Sequence, residues 1–110
     1  MAGFLLQLSY TPQAWADLMR NPQDRAKAVR GVIEQLGGKI GAVWLAFGES
    51  DLIGIVSMPD NLTAAAFSIA LAAGGACRTV KTTPLITMEE GVAAMEKAAA
   101  CGYAPIGAET

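Results

Sequence analysis

The chain has 110 residues, 53% of them apolar, with eight basic side chains, ten acidic ones and no histidine. That length fits one domain over residues 1–110 with a core of its own. The slight negative charge and the lack of a basic stripe argue against nucleic-acid binding, and the missing histidine removes the usual general base, the common triads and the commonest neutral metal ligand.

Phe4 to Tyr10 alternates as a first strand, with Phe4, Leu6, Leu8 and Tyr10 on one face and Leu5, Gln7 and Ser9 on the other. Thr11 is placed to cap a helix, with Pro12 pre-set for its first turn. Asn21-Pro22 interrupts that helix, and Asn21 can cap its resumption, with Asp24 near the positive end. Ala26, Val29, Val32, Ile33 and Leu36 then repeat at helical spacing until Gly37-Gly38.

Two apolar runs follow, Ile40 to Phe47 and Leu52 to Met58, read as strands joined by a short hairpin link at Gly48 to Ser50. Pro59 ends the second, and Asp60 caps a helix whose inner face reads as Leu62, Ala66, Ile69, Ala70 and Ala73. Gly74-Gly75 stops it, and Arg78 to Ile86 reads as a fourth strand. Thr87-Met88-Glu89-Glu90 is a capping box for a last helix that runs to about Ala100 and closes at Gly102.

The order strand, helix, strand, strand, helix, strand predicts an α+β fold. It is the ferredoxin-like βαββαβ arrangement with an added C-terminal helix. The strands carry apolar residues on both faces, yet helices cover only one. A second copy packed through the sheet face would cover the other, so a homodimer is expected. The alternative is a monomer whose last helix folds across the open face.

Gly48-Glu49-Ser50-Asp51 is the most informative stretch. Alternate residues share a face, so Glu49 and Asp51 can converge on one cavity as a catalytic acid/base pair. Equally, they can build the turn, with the Asp51 carboxylate held by backbone N–H groups or by Arg78. Arg25 and Arg78 are candidate anion-binding residues, and Arg78 is also a candidate ion-pair partner for Glu49 or Asp51. Tyr10 and Trp44 can line an apolar ligand cavity, or serve as core and interface anchors. Cys77 and Cys101 form no CxxC pair and read as reduced thiols in a cytoplasmic protein. No Walker loop, dinucleotide fingerprint, calcium loop or metal-ligand cluster occurs, so no cofactor and no metal are expected. The first residues lack the features of a signal peptide, and the apolar segment 62–77 is too short and glycine-broken for a membrane span.

Several of these elements together resemble the GYD-domain proteins: Tyr10-Thr11, Arg25, Leu36-Gly37-Gly38, Gly48-Glu49-Ser50-Asp51 and Arg78-Thr79, in that order over residues 3 to 98. The resemblance implies a dimeric α+β barrel. It names no reaction, because the family has no established one. Wider relatives implied by that fold include monooxygenases, small dehydratases and ligand-sensing domains. This chain has Ser50 where the family usually has a tyrosine or another bulky residue. Three functions fit: a homodimeric domain that binds a small apolar or amphipathic ligand, a cofactor-independent oxygenase or isomerase using Glu49 and Asp51, or a regulatory module acting by assembly.

Overall fold

The computed structural model of the protein describes residues 1–108. Its elements are β1 (Ala2–Tyr10), α1 (Pro12–Arg20), α2 (Arg25–Gln35), β2 (Lys39–Leu45), β3 (Leu52–Met58), α3 (Asn61–Ala73), β4 (Cys77–Leu85) and α4 (Met88–Ala100). The strands form one antiparallel sheet in the order β2-β3-β1-β4.

This corrects the expected barrel. The two outer strands, β2 and β4, lie at opposite ends of the order and do not pair with each other. Closure would require them to share hydrogen bonds, with strand tilt and register staggered to suit. The fold is therefore α+β with an open four-stranded sheet, not a dimeric α+β barrel. The interruption expected at Asn21-Pro22 separates two helices between the first two strands. Each has its own side-chain cap: Thr11 accepts from the Ala14 N–H, and Asp24, rather than Asn21, accepts from the Ala26 N–H.

Alternation decides which sheet face carries the core. Phe4, Leu6, Leu8 and Tyr10 of β1 are buried, as are Leu52, Val56 and Met58 of β3. Ile33 of α2 and Ala64 and Phe67 of α3 close over them. Burying one such large apolar side chain fully is worth about 1.5–3 kcal/mol. Gly37-Gly38 lets α2 enter β2 this tightly. Gly37 takes φ +84°, and a Cβ on Gly38 would lie 2.6 Å from both the Met58 sulfur and the Ser57 carbonyl oxygen.

The inner face of α3 differs from the expected one. Ala64 and Phe67 face the sheet, whereas Leu62 and Ile69 are exposed. The opposite sheet face has no helix over it. Strand register places Ile53 and Ile55 there beside Gln7 and Leu5, with Trp44 next to Ile53. Trp44 and Ile55 are exposed.

The last helix does not cross that face. α4 buries no residue and has no extensive packing against any other element. The chain consequently measures 63 × 31 × 22 Å, with a radius of gyration of 17.9 Å. A compact chain of this length has about 13 Å.

Candidate functional site: a cavity under α2

The β1–α1 turn, the link before β3, the start of α2 and the start of β4 meet at one end of the sheet. A bulge shapes this end. Ser9 pairs with Thr79 but Tyr10 pairs with Cys77, so Arg78 is the extra residue of β4. Ser9 and Tyr10 are both buried at this end, at 3% and 7% exposure. The shift puts Cys77 opposite Tyr10 and leaves Arg78 exposed.

Asp51 ties the end together. Its Oδ2 accepts a hydrogen bond from the Tyr10 backbone N–H at 2.8 Å and another from the Trp15 indole N–H at 3.3 Å. Its own N–H donates to the Leu8 carbonyl, and its carbonyl accepts from the Ala46 N–H. The Ser9 hydroxyl donates to the Glu49 carbonyl at 2.9 Å. Residues 46–51 are thus fixed to the end of β1 by side chain and backbone alike. Trp15 also meets the Tyr10 ring edge-on, with centroids 5.4 Å apart.

Glu49 and Asp51 do not share an environment. Asp51 is half-buried with two N–H donors on one oxygen, whereas the Glu49 side chain is exposed. Arg78 makes no ion pair with either; among the described residues the ion pair present joins Arg20 and Asp17. Both cysteines are free thiols, Cys77 half-buried and Cys101 exposed.

Between this end of the sheet and the helices lies an apolar cavity of about 220 Å³, walled by aliphatic residues such as Leu6 and Leu52 together with the ring of Phe67, and reaching Tyr10, Arg25 and Cys77. It adjoins a wider cleft of about 500 Å³ that shares Tyr10, Arg25, Ile40 and Val43 and extends past Trp15 to Arg30. Trp44 borders the cleft along β2, although register sets it beside Ile53 on the other face. Tyr10, Arg25 and Trp44, three of the residues singled out from the sequence, therefore line the wider cleft together, Tyr10 and Arg25 also reach the inner cavity, and Arg78 lines neither.

Electrostatics distinguishes the mouth of the cavity from its walls. Burial pushes the Tyr10 hydroxyl above its ordinary value of 10.0, helped by Cys77 and Asp51 and opposed by the Arg25 charge. Burial likewise raises the Cys77 thiol above 9.0, again against Arg25. At neutral pH both groups are protonated, so the phenol is a hydrogen-bond donor and the thiol is not a ready nucleophile. Arg25 itself donates to the Gln23 side chain at 2.8 Å and meets no carboxylate among the described residues.

Sequence reasoning overlooked Cys77 as a wall residue and Trp15 as the second donor to Asp51. The second had a usable signal, since an indole N–H beside packed structure needs an acceptor.

The ordered motifs of this cavity end agree with the sequence comparison, in which the GYD domain matches residues 4–95. The chain belongs to the GYD-domain family. No curated protein and no solved structure matches it. The matched residues thus run from within β1 to within α4. Among the chain's described residues no group of three or more His, Cys, Asp or Glu is placed to hold a metal ion, and no helix is long and apolar enough to cross a membrane.

Proposed function

We propose that this GYD domain binds a small apolar or amphipathic molecule in the cavity between its sheet and its helices. The observation that carries this reading is the cavity itself: apolar walls, with Tyr10 and Arg25 as polar groups at one end. Apolar hollows with few convergent polar groups are the usual form of small-molecule sites. The inner cavity is smaller than a drug-sized pocket, and the adjoining cleft gives a longer ligand room to emerge. Acid/base catalysis by Glu49 and Asp51 has less support, because the Asp51 carboxylate is engaged by Tyr10 and Trp15.

Fluorescence of a neutral solvatochromic dye such as Nile red tests the proposal. Its emission should shift to the blue on binding, and Val43→Trp, which fills the shared wall, should abolish the shift. A dye that stays in its aqueous state with the folded wild-type protein would sink the reading.

Assembly as a homodimer through the open sheet face belongs to the same proposal. Exposed Trp44 and Ile55, contiguous with Ile53 and Leu5 on that face, support it, since contiguous exposed apolar patches mark interaction surfaces. Sedimentation equilibrium at micromolar concentration should give twice the chain mass, and Ile55→Lys should return it to one. A wild-type monomer would remove this part and leave the cavity reading untouched.

A further inference from the structure

The cavity has one kind of wall and one charged exit. Aliphatic residues and the Phe67 ring surround its interior, and the charged side chain that lines it is Arg25, the first residue of α2. That guanidinium has a neutral partner, Gln23, and no ion pair. The carboxylates near it are committed elsewhere: Asp51 accepts from Tyr10 and Trp15, and Asp24 accepts from the Ala26 N–H that begins α2. The Tyr10 hydroxyl is held protonated beside Arg25 and can donate. Two donors, one of them cationic, therefore stand at the mouth of an apolar hollow with no internal anion matched to them.

Resting on the cavity reading above, we infer that the ligand is an apolar monocarboxylate, with its head on Arg25 and the Tyr10 hydroxyl and its hydrocarbon body in the inner cavity. A carboxylate suits the fork geometry of a guanidinium and can accept from the phenol at the same time. A neutral alcohol would leave the cation unmatched. A quaternary ammonium would meet like charge. The single guanidinium that lines the inner cavity matches a single negative charge, and walls that are aliphatic apart from Phe67 and Tyr10 form no aromatic cage for an ammonium head and suit a saturated chain.

Titration of the full chain with decanoate, decanol and decyltrimethylammonium, followed by the fluorescence of Trp15 and Trp44, which both line the cleft, tests the inference. Decanoate should bind about tenfold or more tightly than decanol, and the ammonium should bind weakest. Arg25→Gln should bring decanoate down to the level of decanol and leave decanol unchanged. Arg25 is exposed, so this variant should keep the wild-type circular dichroism spectrum. Equal affinity for decanoate and decanol, or a decanoate affinity indifferent to Arg25→Gln, would overturn the carboxylate inference while the cavity reading stands. Failure of all three compounds to bind would overturn both together.

Discussion

α3 and α4 are each thirteen residues long. Each begins at a side-chain cap, Asp60 for α3 and Thr87 for α4, and each is followed by a glycine with positive φ, Gly75 and Gly102. By local signals α4 is the better helix, since Thr87 and Glu90 form a reciprocal capping box and Lys97 sits in the last turn. Yet α3 buries Phe67 and Ala64 in the core, and α4 buries nothing. Caps decide where a helix starts, but the stability it adds to the whole molecule comes from the face it packs. Equal perturbations should therefore be felt globally in α3 and only locally in α4.

Phe67→Ala should show the largest effect. It empties a site that is 4% exposed, and such truncations cost about 3–5 kcal/mol in denaturant unfolding. A loss below about 1 kcal/mol would mean that α3 is not anchored by this ring. Asp51→Ala gives a polar reference within the packed body. It leaves the Tyr10 N–H and Trp15 indole without their acceptor, at a cost of about 1–3 kcal/mol. Tryptophan emission should change with it, and an unchanged unfolding midpoint would deny Asp51 its role as a tie.

Acid should separate the two helices next. The Asp60 carboxyl is held below its ordinary 3.8 by hydrogen bonds from Thr63, and Glu90 below 4.5 by the bonds it shares with Thr87. Depressed carboxyls contribute stability above their unfolded values, and that contribution is lost as pH falls through the folded ones. Below about pH 4 the loss at Asp60 should lower the thermal midpoint, whereas the loss at Glu90 should reduce helical ellipticity alone. Comparing wild type with Glu90→Gln checks this, because the substitution should leave the acid limb of the midpoint curve in place.

Thr87→Ala should remove about 0.5–2 kcal/mol of helix stability from α4 and leave the unfolding midpoint of the body unmoved. A midpoint that shifts with it would show α4 to be packed in solution, and the contrast with α3 would fail. Met95→Ala should be smallest, within about 0.5 kcal/mol in unfolding, since Met95 is 65% exposed.

The features legible in the sequence were those set by neighbours along the chain. Thr11, Asp60 and Thr87 act as caps where their side chains suggested, and Gly37-Gly38 ends α2 as expected. The inner face of α3 was not legible for a definite reason. The helix contains no charged residue, so its periodicity has little contrast and several stripes look equally apolar. Asn21 and Asp24 were rival caps three residues apart, and local rules rank them nearly equal. At the cavity, Tyr10 and Arg25 were visible as residue types but not as neighbours. Their meeting depends on where α2 starts relative to the end of β1, which no local pattern announces, just as none announces the bulge at Arg78 that sets Cys77 opposite Tyr10. The pairing of Glu49 with Asp51 failed to form because residues 46–51 are a tethered link rather than a strand, so alternation does not apply there. The barrel was an expectation of the resemblance, and one chain with unpaired outer strands does not make one.

The outlying α4 also affects how this chain travels. A particle 63 Å long and 22 Å thin drags more solvent than a sphere of its mass. It should leave a sizing column early, at the position of a globular protein well above 11.4 kDa, even as a single copy. Elution volume alone would then mimic a dimer. Removing residues 87–110 should delay elution by more than the lost mass accounts for, and light scattering across the peak separates shape from stoichiometry.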